Sequence, residues 1–176
     1  HRGTWWMVEN LDRDSGLFDE QLENAFPILK KFFKDSNLAP WHPPKKEGFY
    51  RFLVARKSYT NNQILLNLVT SSSELNRFNL PAFIELLKEI LGNRFAGLLH
   101  TINDSIGDRI QASDGSCKLV YGKDKIVENI LGLEFEISMQ SFFQTNPKCA
   151  KKLYQKVVDY VLDTRQKQKV IMDLFC

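Results

Sequence analysis

Two neighbouring phenylalanines, a glutamine and an asparagine fall within six residues, Ser141-Phe142-Phe143-Gln144-Thr145-Asn146. Aromatic rings offer flat faces for stacking, and an amide beside them offers both a donor and an acceptor to a planar ligand. Further on, Val170-Ile171-Met172-Asp173-Leu174-Phe175-Cys176 is an apolar run with a single carboxylate, the pattern of a buried strand. Together they look like a ligand loop feeding the first strand of a nucleotide-binding type of fold, whose ligands sit at the carboxyl ends of such strands. The sequence stops where that strand is expected to turn into a glycine-rich loop. It starts without Met in the strand-like run His1-Arg2-Gly3-Thr4-Trp5-Trp6, so both ends are expected to cut through structured polypeptide.

The elements that must position this loop can be read from periodicity. Residues 4 to 9 suggest a strand, and residues 18 to 34 carry Leu22, Phe26, Leu29 and Phe33 at helical spacing. Pro27 lies inside that helix, which is therefore expected to start near Asn24 or to bend. Asn37 to Pro44, with Pro40, Trp41, His42, Pro43 and Pro44, predicts a stiff extended loop. Strands are expected near 49 to 56 and 63 to 70, joined by a turn at Asn61-Asn62. Asn79, Pro81 and Gly92 delimit a helix with Phe83, Leu86, Leu87 and Ile90 on one face. Short strands are predicted at 96 to 103, 106 to 111, 117 to 121 and 133 to 138, the last with one wet face. Asn146 and Pro147 open a helix whose apolar stripe is Ala150, Leu153, Tyr154, Val157 and Val161. The order predicts an α+β domain with a mainly antiparallel sheet over residues 1–140. Residues 141–176 would be the linker motif and the first helix and strand of a Rossmann-like α/β domain.

Composition narrows the class without naming a function. The chain has 176 residues, 43% hydrophobic and 26% charged, and its apolar runs fall short of the ~20 residues of a membrane helix. Cys117, Cys149 and Cys176 are odd in number and lack CxxC spacing, which argues against a disulfide framework or a zinc site. A reducing cytoplasm is the expected compartment. The net charge of +3 is modest, yet the basic residues cluster: Lys30, Lys31 and Lys34; Lys45 and Lys46; Arg51, Arg56 and Lys57; Lys148, Lys151, Lys152 and Lys156; Arg165, Lys167 and Lys169. Any one cluster reads as a solvated face; several around one aromatic motif point toward RNA.

The pattern becomes specific with Tyr121-Gly122, Ile126, Glu128, Ile130-Leu131-Gly132, Phe135 and Ile137-Ser138, followed by Ser141 to Asn146 and Asp173 to Cys176. It resembles the RNA (uracil-5-)-methyltransferase family, over most of the chain. These enzymes use S-adenosylmethionine to form 5-methyluridine in transfer or ribosomal RNA. The resemblance implies methylation of C5 of a uridine in tRNA or 23S rRNA, with this chain as the central RNA-facing domain and the start of the methyltransferase domain. It implies that Gln144 and Phe175 contact S-adenosylmethionine and that Phe142 packs against the target uracil, extruded from its stack to be modified. Asn146 is read as a helix cap and Phe143 as core.

The family reaction needs a cysteine that attacks C6 of uracil and a base that removes the C5 proton. The resemblance puts both beyond Cys176, so no catalytic residue is assigned and the fragment is expected to be inactive. Cys117, Cys149 and Cys176 are read as packed bystanders. Some members hold an iron-sulfur cluster with four cysteines, one of them in a stretch corresponding to Glu9 to Phe18. That stretch has no cysteine, so a complete cluster is not expected and no metal site is assigned. His100 or Asn103 could face RNA, Asp104 and Asp108 read as turn residues, and Trp5, Trp6 and Trp41 could stack on bases but fit packing roles better. The alternative from another class is a noncatalytic RNA-binding module. A weaker one is an S-adenosylmethionine-dependent methyltransferase with another target.

Overall fold

A computed structural model describes residues 15–163 apart from 108, 113 and 115, together with 170 and 172. The strand predicted at 4 to 9 lies outside the described residues, as does that at 169 to 175 except for Val170 and Met172, and as do Trp5, Trp6, Asp108, Asp173, Phe175 and Cys176.

Helix α1 spans Glu20–Asp35 and starts four residues earlier than Pro27 suggests. Asp19 caps it by accepting from the Gln21 amide, and the Glu23 carboxylate folds back onto the Ser15 hydroxyl and the amides of Gly16 and Phe18. These bonds and the burial of Leu22, Ala25 and Leu29 outweigh the one backbone bond that Pro27 cannot make.

Strands β1 (Tyr50–Lys57) and β2 (Ile64–Thr70) pair antiparallel, from Lys57 opposite Ile64 to Tyr50 opposite Thr70. The segment before β1 does not run straight: His42 bridges back to Glu47, and Gly48 at φ +104° passes so close to Pro40 that a Cβ there would lie 2.1 Å from its carbonyl oxygen. After β2, helix α2 (Leu80–Leu91) crosses over to β3 (Phe95–Ile102), which runs parallel to β2. Asn79 caps α2 by accepting from the Ala82 amide, and the helix ends at Gly92 with φ +54°. Strand β4 (Lys118–Gly122) closes the four-stranded sheet in the order β1-β2-β3-β4, and β5 (Lys125–Ile130) and β6 (Leu133–Ser138) form a separate hairpin. Helix α3 covers Pro147–Leu162. Among the described ladders three are antiparallel and one is parallel, a mixed α and β architecture rich in antiparallel pairing.

Every residue of β2 is buried because both faces of the sheet are covered. On one side Leu66, Leu68 and Leu98 meet Leu22 and Leu29 of α1 and Phe83, Leu87 and Leu91 of α2. On the other, Leu65 and Leu99 meet Ile126, Ile137 and Met139 from the hairpin and the loop after it. Each such side chain contributes roughly 1.5–3 kcal/mol when taken out of water.

Two sequence expectations fail here. Strand β5 was not anticipated, and the described residues of the segment 106 to 111 form no strand. Alternate backbone acceptors in and just before this segment are taken by side chains: the Arg51 guanidinium donates to the carbonyls of Asn103, Ser105 and Gly107 at 2.6–2.8 Å. The Asn103 amide donates to those of Arg109 and Gln111 at 2.6 and 3.0 Å. A segment folded this way has no free ladder to offer a neighbouring strand.

Candidate ligand loop and its cavity

The loop from Met139 to Asn146 is held at both ends. At its start, Ser138 and Ser141 exchange bonds, each amide donating to the other's hydroxyl at 3.1–3.2 Å, and the Arg56 guanidinium donates to the Ser141 carbonyl at 2.7 Å. At its end, the Asn146 side chain accepts from the Cys149 amide at 3.0 Å and caps α3, with Pro147 in the first turn. Phe143 packs inward against the hairpin core, its ring centroid 6.1 Å from that of Phe135.

Phe142 does the opposite. Its side chain is 87% exposed, flanked by a tied turn and a capped helix. Phe142 and Gln144 line one cavity of about 430 Å³ with Leu131, Leu133 and Phe135 of the hairpin and Tyr154 and Val158 of α3. The volume and the mostly apolar lining suit a small planar or aliphatic ligand, with the Gln144 amide able to orient it. Among the described lining residues none is a cysteine, histidine or carboxylate, and besides the Gln144 amide only the Tyr154 hydroxyl is polar, so this cavity is built to hold and orient a ligand.

The hairpin contributes a strained wall. Leu131 and Gly132 form the two-residue turn between Ile130 and Leu133, both with positive φ (+54° and +83°). Such turns favour Asn-Gly, and leucine in the left-handed region costs about 1–2 kcal/mol. The side chain that carries this cost lines the cavity. Leu133 and Phe135, expected on a buried strand face, are 64% and 39% exposed for the same reason: their face looks into the cavity and not onto the sheet.

The chain matches an uncharacterized RNA methyltransferase of Clostridium tetani with 40% identity over 162 residues, 91% of this chain and 34% of that protein. An uncharacterized RNA methyltransferase of Caldanaerobacter subterraneus subsp. tengcongensis is 32% identical over 176 residues, 99% of this chain and 38% of its own length. The crystal structure of Pyrococcus abyssi tRNA (uracil-54, C5)-methyltransferase in complex with S-adenosyl-L-homocysteine superimposes with a TM-score of 0.65 and 25% identity, over 90% of this chain and 36% of that one. The chain is a relative of the RNA (uracil-5-)-methyltransferases. It spans between 34% and 38% of the length of these relatives. No family model matches it.

Of the residues the family resemblance singles out, the structure brings Phe142 and Gln144 to one cavity, while Phe175 lies outside the described residues. The basic cluster of β1 is structural and not a free cationic face. Arg51 folds the 103–111 loop, Arg56 holds the ligand loop, and Lys57 pairs with Asp19 at 2.7 Å. The lysines of α1 and α3 named above are exposed. His100 faces Thr70, its Nε2 2.9 Å from that hydroxyl, and burial lowers its pKa from the ordinary imidazole value, favouring the neutral ring. Asn103 is 1% exposed and spent on folding its loop, and His100 is half-buried against Thr70. Trp41 carries the Arg51 guanidinium over its ring at 4.8 Å, a packing role. Asp104 accepts from the Ser72 amide at 2.7 Å, a bond between two loops 32 residues apart and not the local turn role expected of it. Cys117 lies 3.2 Å from the Thr101 hydroxyl and Cys149 is exposed in the first turn of α3. Among the described residues no group of His, Cys, Asp or Glu could hold a metal ion, and no helix is long and apolar enough to cross a membrane.

The roles of Leu131 and Arg56, and the β5 strand, were missed by sequence reasoning. Leu131-Gly132 between two alternating apolar runs was the available signal for the hairpin. Nothing local signals that an arginine in β1 reaches a carbonyl in the 141–146 loop.

Proposed function

We propose that this chain is the central part and the beginning of the methyltransferase part, residues 1–140 and 141–176, of an S-adenosylmethionine-dependent enzyme that methylates C5 of a uridine in tRNA or 23S rRNA. The observation that carries the reading is Phe142, an aromatic ring held almost fully in water between two fixed points. Covering such a ring gains roughly 1.5–3 kcal/mol, which is realised when a planar group such as an extruded uracil lies on it. Phe142 would stack on the target base, and Gln144, in the same cavity, would bond the cofactor. The apolar lining and single amide fit the partly aliphatic, partly aromatic body of S-adenosylmethionine, which supplies an electrophilic methyl group when bound. Phe175 would border the same ligand. The exposed lysines of α1 and α3 would meet the RNA backbone.

The test is transfer of labelled methyl from S-adenosylmethionine to unmodified tRNA and rRNA. It uses a polypeptide of the relatives' length that contains this chain, with Gln144→Ala alongside. Label should appear at C5 of uridine, and loss of one amide bond should lower transfer roughly three- to tenfold. A folded protein that binds RNA and transfers no label to either RNA supports the noncatalytic RNA-binding reading instead.

A further inference from the structure

A second cavity, of about 440 Å³, opens on the sheet face opposite the helices, toward the carboxyl ends of the parallel strands β2 and β3. Its floor is Asn67 and Thr101, its outer wall Arg109 and Gln111 of the side-chain-folded loop, and its near wall Met139 and Gln140. Asn67 stands alone in the otherwise apolar, fully buried run of β2. It is 2% exposed, and its Oδ1 accepts from the Thr101 hydroxyl at 3.2 Å. Its amide nitrogen has no partner among the described residues. A buried amide donor is retained where something bonds it, and here the space beside it is the cavity.

The walls indicate what bonds it. Asn67 and Gln111 present amide edges, the buried Met139 and the half-exposed Ile110 present apolar surface, and Arg109 presents an exposed planar cation. Amide edges between apolar faces with an arginine at the mouth match an unstacked nucleobase and its phosphate. Gln140 also ties the cavity to the ligand loop. Only Ser141 separates it from Phe142, so their Cα atoms are at most about 7 Å apart. A base in this cavity belongs to a nucleotide close to the one on Phe142.

We infer that the Asn67–Gln111–Gln140 cavity takes a second nucleobase of the RNA, close in sequence to the methylated uridine, and so contributes to the choice of site. This rests on the proposed RNA function. Loop 103–111 is the outer wall of a base-reading pocket, and Arg51 and Asn103 hold that wall in place.

The experiment is a mutant cycle on the polypeptide of the relatives' length. Synthetic RNA hairpins carry one abasic nucleotide at each position flanking the uridine that is methylated. Binding is measured for the unsubstituted protein, Gln111→Ala, which alters an exposed side chain, and Asn67→Ala. One flanking abasic position should weaken binding by the unsubstituted protein about tenfold. The same position should cost Gln111→Ala and Asn67→Ala markedly less, because the base they would contact is already gone. Gln111→Ala keeps the test readable if Asn67→Ala does not fold. If C5 methylation occurs but every abasic position is additive with both substitutions, the pocket assignment is overturned while the proposed function stands. If no RNA is bound, both fail.

Discussion

Glu128 of β5 joins the hairpin that walls the ligand cavity to the turn between β1 and β2. Its side chain is 3% exposed, and its carboxylate accepts from the Tyr59 amide at 2.7 Å and the Thr60 hydroxyl at 2.6 Å. The Thr60 hydroxyl in turn accepts from the Asn129 amide, and Ser58 donates to the Val127 carbonyl at 2.6 Å. Each bond to an ionised acceptor is worth about 1.5–3 kcal/mol, and water can reach the exposed Tyr59 and Thr60 once the carboxylate is gone. Glu128→Ala should therefore cost about 3 kcal/mol, near the lower sum, and Glu128→Gln, which keeps one acceptor oxygen, about half as much. Urea unfolding followed by circular dichroism reads both, and the melting midpoint of Glu128→Ala should fall by about 10 °C. Thr60→Ala completes a cycle in which the coupling with Glu128→Ala should reach at least ~0.5 kcal/mol. A loss below ~0.5 kcal/mol for Glu128→Ala, or additivity with Thr60→Ala, would refute the idea that this carboxylate clamps the hairpin to the sheet.

Three further outcomes follow from the same geometry. Leu131→Asn should raise stability by about 1 kcal/mol, because asparagine tolerates the left-handed turn, and should weaken binding of S-adenosylhomocysteine or RNA by removing a cavity wall; a variant that is no more stable in urea contradicts the strain. Arg51→Met should cost about 2 kcal/mol and speed proteolysis within 103–111, and Arg51→Lys should not restore it, since one ammonium cannot span three carbonyls; full rescue by lysine would count against that geometry. Arg94, and after it Lys57, hold the Asp19 carboxyl well below the usual carboxylate range, so its stabilisation is complete above the unfolded value of about 3.9 and is lost as pH falls toward the folded one. Asp19→Asn should thus cost about 3 kcal/mol near pH ~7 and about 1 kcal/mol less near pH ~3, and a gap equal at both values would show that the ion pairs are not its source.

Much was legible in the residues themselves, because local physics decided it. Asn79 and Asn146 cap the helices they were expected to cap, and Gly92 ends α2, since those bonds form within one turn. The alternation of Leu133, Phe135 and Ile137 marked β6 to the residue. The motif from Phe142 to Asn146 carried the family resemblance, with the cap and the inward Phe143 following from residue type. Contacts beyond a single turn decided the rest. Pro27 argued for a later helix start until Glu23 found Ser15, Gly16 and Phe18. The 106–111 segment looked like a strand until Arg51 and Asn103, distant or barely outside it, took its carbonyls. Arg51, Arg56 and Lys57 read as an open basic face, and tertiary folding turned each toward an internal acceptor. The single asparagine of β2 became informative when the parallel pairing of β2 with β3 set it beside Thr101 and a cavity. Periodicity and capping depend on neighbours a few residues apart, so the sequence alone determined them. Which carbonyl a guanidinium reaches, or which space a buried amide faces, depends on residues tens of positions away, and only the assembled layers decide it.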